Sequence, residues 1–209
     1  MIINEIFKSL QGEGIEIGVP TVFVRITGCP LRCSWCDQQD AWVEGKSMSV
    51  DEVLNEVARH SCPYVCVTGG EPLAQDDSIT LISHLLDAGY MVSVETGGSE
   101  SLQELPCSES LMVSLDIKCP SSGMHGRMDL SNIELLAPSD QLKFVIADEE
   151  DYAYAKSVIE KYAPQCSIVM QPVGGKDLRW LAEQVLRDNL RVRVLPQLHK
   201  VIWGERRGV

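Results

Sequence analysis

The chain has 209 residues, 44% of them hydrophobic, which is enough for one substantial core, and a single domain over residues 1–209 is expected. A formal net charge of -12 opposes binding to a polyanion, so nucleic acid, tRNA included, is not an expected partner; the only local basic group is Arg206 with Arg207. No apolar run approaches the roughly 18 residues of a membrane span, and Met1 to Lys8 lacks the basic start and long apolar stretch of a secretion signal.

The chain is therefore expected in the cytoplasm, where its eight cysteines stay reduced and serve as metal ligands or small buried hydrophobes. A short N-terminal extension leads into an apolar, β-rich run from Thr21 to Thr27. Directly after it comes Cys29-Pro30-Leu31-Arg32-Cys33-Ser34-Trp35-Cys36, a Cys-x3-Cys-x2-Cys loop. Three thiolates can hold three irons of a cubane and leave the fourth open to an exogenous ligand. A structural zinc site would need a fourth ligand, and no second Cys-x2-Cys knuckle is present. Cys62, Cys66, Cys107, Cys119 and Cys166 are expected to be structural.

Further along, Ser49 begins a capped amphipathic helix with Val53, Leu54, Val57 and Ala58 at helical spacing. A strand from Tyr64 to Thr68 ends in Gly69-Gly70-Glu71-Pro72, where two glycines would let a ligand approach the backbone. Asp77 to Ala88 reads as a helix stopped by Gly89. Strands Met91 to Thr96 and Leu111 to Lys118 follow, ending in Glu95-Thr96-Gly97-Gly98 and Asp116-Ile117-Lys118. The Glu95 carboxylate there could accept from hydroxyls or an amine, or serve as a turn residue. Strand Gln141 to Ala147, helix Glu149 to Tyr162, strand Ser167 to Val173 and helix Lys176 to Asp188 complete the pattern. Alternating strands and helices imply a parallel sheet covered by helices. Six such units in a chain shorter than a full eightfold barrel suit an α/β fold of open, incomplete, TIM-like (β/α)6 form, although a doubly wound sheet gives much the same pattern. In either architecture ligands bind at the C-terminal strand ends, where the cysteine loop and the glycine-rich segments gather.

Cys-x3-Cys-x2-Cys followed by Gly-Gly-Glu-Pro resembles the radical S-adenosylmethionine (SAM) superfamily, over nearly the whole chain. More narrowly, Glu5 to Gly14, Trp35-Cys36-Asp37, Lys118 to Met124 and Pro196 to Gly204 resemble the 7-carboxy-7-deazaguanine synthase family. The resemblance implies a carbon-nitrogen lyase that converts 6-carboxy-5,6,7,8-tetrahydropterin into 7-carboxy-7-deazaguanine, for queuosine or another 7-deazapurine. It also implies one 4Fe-4S cluster, SAM used as a regenerated source of a 5'-deoxyadenosyl radical, magnesium, a flavodoxin- or ferredoxin-type reductant and a homodimer.

By position, Cys29, Cys33 and Cys36 match the cluster ligands. Trp35, Cys36, Asp37, Gly70, Asp116, Ile117, Lys118, Gln171, Pro172, Val173 and Gly174 match SAM contacts, and Leu10, Gln11, Gly12, Arg25 and Thr68 match substrate contacts. Arg25 makes independent sense, because a guanidinium pairs with a carboxylate through two parallel hydrogen bonds. Glu13 could accept from the guanidine-like edge of a pterin. One position departs from the family, which carries Thr or Ser as a magnesium ligand two residues after the last cysteine; this chain has Gln38, an oxygen donor on a longer arm. The competing readings are a glycyl-radical activase, which shares the cysteine loop, and a non-catalytic metal module completed by His60, His125 or His199.

Overall fold

The computed structural model describes residues 1–175, 177–204, 206 and 208. β1 (Ile2–Leu10) and β2 (Pro20–Ile26) form an antiparallel hairpin, and the two-residue β3 (Lys46–Ser47) lies on the outer edge of β1. From β2 onward all pairing is parallel, through β4 (Tyr64–Gly69), β5 (Met91–Thr96), β6 (Leu111–Ile117), β7 (Gln141–Ile146), β8 (Ser167–Pro172) and the short β9 (Arg193–Val194). These parallel strands lie side by side in chain order, the connectivity of a barrel; a doubly wound sheet would reverse direction part-way. The sheet runs from β3 at one edge to β9 at the other and does not close.

Each of the six expected strands is present to within a residue or so of its expected ends. Two features differ from expectation. The N-terminal extension is itself a nine-residue strand of the sheet, and β9 adds a seventh parallel strand. β1 was hidden by its polar pairs Asn4-Glu5 and Lys8-Ser9, which break up its apolar residues, and β9 by being two residues long.

Four of the five helices pack against one face of the sheet. α1 (Val50–Ala58) starts at a capping box in which Ser49 Oγ accepts from the Glu52 N–H and the Glu52 carboxylate accepts from the Ser49 N–H. α2 (Asp77–Asp87), α3 (Glu149–Tyr162), α4 (Leu178–Asp188) and α5 (Leu198–Trp203) follow. Lys176, the expected start of α4, lies outside the described residues, as does Arg207. No helix is inserted between β5 and β6, and only short 3-10 turns, the longest Leu130–Leu135, separate β6 from β7. No described helix is long and apolar enough to cross a membrane.

Strand alternation divides the sheet into two unlike faces. Val22, Val24, Ile26, Val65, Val67, Val92 and Val94 point toward α1 and α2, where Val53, Val57, Leu81, Ile82 and Leu85 meet them. Val113, Leu115, Ile117, Leu142, Phe144 and Ile146 do the same beneath α3 and α4. The alternate positions, Arg25, Cys66, Thr68, Ser93, Glu95, Ser114, Asp116, Gln141 and Lys143, are largely polar and occupy the opposite face. Of the cysteines outside the loop, Cys62, Cys66, Cys119 and Cys166 are buried as expected, whereas Cys107 is exposed.

Leu85 is completely buried in the cluster under α2. Leu85→Ala should lower stability by about 2–5 kcal/mol through lost transfer energy and the cavity left behind. A urea midpoint indistinguishable from that of the parent chain would contradict the packing described.

Candidate active site

The polar face of the sheet opens on a cavity of about 470 Å³ at the C-terminal strand ends. Cys29, Cys33 and Cys36 line it from the loop after β2. The loop's approach depends on the two glycines after β4. A Cβ on Gly69, whose φ is +148°, would lie 2.1 Å from the Ile26 carbonyl oxygen, and one on Gly70 would lie 2.1 Å from that of Gly28. In addition to any ligand contact, these glycines let two strand ends pack backbone on backbone, with Gly70 N–H donating to Ile26 O at 2.9 Å and Glu71 N–H to Gly28 O at 2.7 Å. Glu71 is completely buried and accepts from Thr96 Oγ1 (2.8 Å), Gly97 N–H (2.7 Å) and Leu73 N–H (3.2 Å), tying the rim after β4 to the rim after β5. Burial pushes its carboxyl pKa up despite those donors.

Across the cavity floor runs a chain of buried charges. Lys143 Nζ, from β7, lies 2.6 Å from Glu13 Oε2 and 3.2 Å from Asp116 Oδ2. Lys118 Nζ reaches the same Asp116 oxygen at 3.0 Å, and Gln197 Nε2 donates to Glu13 Oε1 at 2.7 Å. Burial alone would raise the Glu13 carboxyl, but the Lys143 ammonium and the hydrogen bonds from Lys143 and Gln197 outweigh it and hold Glu13 well below the usual carboxylate range. Asp116 is lowered in the same way, against its burial, by Lys118 and Lys143. Lys143 is raised in turn: burial opposes its charge, and Asp116, Glu13 and Glu95 outweigh burial.

A second group of contacts centres on Glu95. Gln11 Nε2 donates to Glu95 Oε1 and Thr68 Oγ1 to Glu95 Oε2, both at 3.0 Å, which joins two of the expected substrate contacts on one carboxylate. Arg25 is not free, because its Nε donates to Glu5 Oε1 at 2.8 Å and its guanidinium lies 5.8 Å from the Phe7 ring centre. The ion pair uses the Nε edge of the guanidinium and leaves the Nη groups, without partners among the described residues, for a second carboxylate.

Most expected site residues line this cavity: Leu10, Gln11, Gly12, Arg25, the cluster cysteines, Trp35, Asp37, Gln38, Thr68, Gly70, Asp116, Lys118, Val173 and Gly174. Ile117, Gln171 and Pro172 do not. The Ile117 side chain points the other way, into the apolar cluster under α3, because it alternates with Asp116 and Lys118 along one strand. Gln171 is completely buried, with neither amide atom hydrogen-bonded. His199 both packs and reaches the cavity: a Cβ on Gly12 would fall 2.2 Å from its Nδ1. His60 and His125 lie outside the lining. Sequence reasoning missed Glu5, Glu71, Lys143, Gln197 and Lys200. The signal for Lys143 was the alternation Gln141-Leu142-Lys143-Phe144, in which every second residue of an otherwise apolar strand is polar.

The donor set suits a cluster. Cys29, Cys33 and Cys36 are all free thiols on the lining of one cavity, and thiolates are the ligands that iron-sulfur clusters take. Burial pushes the Cys33 thiol up to about 11 and raises Cys29 as well, so metal binding must displace protons. Of the buried side-chain atoms without a partner among the described residues, Ser9 Oγ, Asp116 Oδ1 and Gln197 Oε1 belong to residues that line the cavity, whereas the unpaired Gln171 amide does not.

A model of the radical SAM superfamily matches residues 23–117, from within β2 to the end of β6. The chain is 38% identical to the 7-carboxy-7-deazaguanine synthase of Thermoplasma acidophilum over 209 residues, 100% of both chains. It is 42% identical to that of Methanospirillum hungatei over 97% of its own length and 85% of the relative's. The chain belongs to the 7-carboxy-7-deazaguanine synthase family. The crystal structure of QueE from Escherichia coli has the same fold, with a TM-score of 0.76 at 24% identity over 91% of this chain and 92% of that one. Streptococcus suis SuiB shares the core at a TM-score of 0.60 and 11% identity, over 81% of this chain and 46% of that one.

Within this family site, Lys143 is a test of the electrostatics. The lowered Glu13 and Asp116 contribute stability above the ordinary carboxylate range and lose it only well below that range, whereas the raised Lys143 contributes below 10.5 and loses it as pH rises through its raised pKa. The intact chain should therefore show little pH dependence from this network between those limits. Lys143→Met leaves Glu13 buried without its counter-charge and should cost about 3–5 kcal/mol near neutral pH. Burial would then raise Glu13, so the variant should regain stability as pH falls from about 8 to about 5. Equal losses in the urea midpoint at both ends would contradict the network.

Proposed function

We propose that the chain converts 6-carboxy-5,6,7,8-tetrahydropterin into 7-carboxy-7-deazaguanine with loss of ammonia, by a radical ring contraction within this cavity. The observation that carries the reading is the meeting of three free cysteines and a paired-charge floor on one cavity in a chain of this family. A 4Fe-4S cluster and SAM, when bound, would supply the radical chemistry that starts the ring contraction. Cys29, Cys33 and Cys36 hold the cluster.

The remaining roles follow from what each side chain has free. Asp116 Oδ1 receives a polar group of SAM, beside Trp35, Asp37 and the backbone at Gly70 and Val173 to Gly174, with Gln171 buried off the lining. The Nη groups of Arg25 take the substrate carboxylate, while Glu13 and Glu95, each already oriented by two donors, accept from the guanidine-like edge of the pterin. Gln11 and Thr68 act by holding Glu95. Closure against water comes from α5, whose Leu198 N–H donates to Gly12 O at 2.8 Å and whose Lys200 Nζ lies 3.3 Å from Asp37 Oδ2. Gln38, on the cavity wall, would hold magnesium through its amide oxygen, and the ion would offset the charge of the substrate carboxylate. The working form is a cytoplasmic homodimer served by a flavodoxin- or ferredoxin-type reductant.

Anaerobically reconstituted, reduced protein should carry about four irons and four sulfides per chain and form 7-carboxy-7-deazaguanine from the carboxytetrahydropterin without net consumption of SAM. Cleavage of SAM without that product would overturn the substrate assignment. Cys33→Ala should lose both cluster and product. For the ion, Gln38→Thr should strengthen activation by magnesium; turnover indifferent to chelator in both forms would remove magnesium from the site.

A further inference from the structure

The cysteine loop holds itself together weakly. Among the described residues its internal hydrogen bonds are Cys36 N–H to Cys33 O at 3.2 Å and the Arg32 guanidinium to the carbonyls of Cys29 and Leu31, both at 2.6 Å. Each described hydrogen bond from residues 29–36 to another part of the chain ends on a single short turn after β6, Pro120–Ser122. Ser34 N–H donates to Ser122 O at 3.0 Å, Ser34 Oγ to Ser121 O at 2.7 Å, and Trp35 Nε1 to Ser121 Oγ at 3.0 Å. Ser34 and Trp35 are the two residues between Cys33 and Cys36, so whatever fixes this turn also fixes the aim of those thiols.

The turn is fixed from behind by one carboxylate. Ser121 N–H and Ser121 Oγ donate to Asp151, to Oδ1 at 2.8 Å and Oδ2 at 2.5 Å. Asp151 is completely buried in the first turn of α3, and its remaining acceptor contact is the Ala147 N–H, just past β7, at 2.8 Å. Capping of α3 does not require it, because Asp148 already serves as the cap and accepts from the Asp151 N–H at 2.9 Å. Two of the three donors to a buried carboxylate are therefore directed out of its helix and onto the turn that carries the cysteine loop. Ser121 Oγ receives from Trp35 while donating to Asp151, so each bond polarises the other.

We propose that Asp151, acting through Ser121, is the positioning residue of the cysteine loop, setting Ser34 and Trp35 so that Cys33 and Cys36 face the cavity. The proposal rests on the reading of Cys29, Cys33 and Cys36 as cluster ligands. It makes the rigid β7–α3 junction the anchor for a loop borne on β2, at the far side of the sheet.

The test compares Asp151→Asn, Ser121→Ala and the double variant with Asp148→Ala, which weakens the same helix end but leaves Asp151 and Ser121 in place. In the full chain without metal, amide hydrogen exchange over residues 29–36 should quicken on the order of tenfold in Asp151→Asn and in Ser121→Ala, the scale of one lost hydrogen bond to a charged group. In reconstituted protein, cluster loss to an iron chelator should quicken by a similar factor. The double variant should be no worse than the more affected single one. Unchanged exchange and chelation in Ser121→Ala, which retains the backbone of the turn, would overturn the proposal, as would equal loosening in Asp148→Ala. A parent chain that takes up no iron would instead sink the cluster reading, while the exchange measurement still decides whether the clamp exists.

Discussion

A sheet that turns charged side chains toward a buried cavity is stable only where those charges meet, and in this chain they meet at Lys143. One ammonium faces two carboxylates, Glu13 from the loop after β1 and Asp116 from β6, and Lys118 supplies the second positive charge. Two acids and two bases leave this group of four neutral overall, which is what permits their burial. The same arrangement leaves Asp116 Oδ1 without a partner. Charge balance within the fold and an unmet polar demand at the site are thus two consequences of one set of contacts.

Pairing also governs most of the cations on the cavity lining of this chain, whose net charge is -12. Arg25, Lys118, Lys143 and Lys200 all line the cavity, but each is held by an acid: Glu5, Asp116, Glu13 with Asp116, and Asp37 respectively. An incoming carboxylate that met any of these four would share a cation already partnered, so attraction there is local and depends on geometry. Arg25 suits this best, since a guanidinium keeps further N–H groups after Nε is engaged. The short α5 belongs to the same construction. Its contacts to Gly12 and Asp37, together with Gln197 on Glu13, are polar bonds to the cavity rim, while Val201 and Ile202 face outward.

The fold was largely legible because its long parallel strands read as apolar, β-rich runs that alternate with helical segments, the helical spacing being explicit in α1 and α2. The strand ends were legible as a rim because glycine and polar residues recur there. What escaped was the polar face of the same strands. Ser93, Ser114, Gln141 and Lys143 interrupt runs that otherwise read as continuously apolar, and only the side-by-side pairing of the strands turns such interruptions, with Glu95 and Asp116, into one polar face. Asp151 escaped for a different reason. An acidic residue in a helix's first turn has a sufficient local explanation in the dipole, so nothing in the sequence marks it as bound to a turn 30 residues away. Ion pairs such as Arg25 with Glu5 depend on hairpin register, which the polar half of β1 concealed.

The glycine pair after β4 shows how a short motif can carry more than one physical demand. Read alone, Gly69-Gly70 invites a ligand. In the fold, a side chain on either residue would collide with the backbone that leads from β2 into the cysteine loop, so the pair first lets the two strand ends lie against each other. Glu71 then accepts hydrogen bonds from the end of β5, which extends the same bracing one strand further. The loop is therefore held at its root by Gly69 to Glu71 and at its tip by Ser121 and Ser122, two supports from different strands. With both in place, three cysteines on eight consecutive residues can face one cavity without any helix or strand of their own. Loss of either support would leave the thiols present in the sequence but not aimed at the same space.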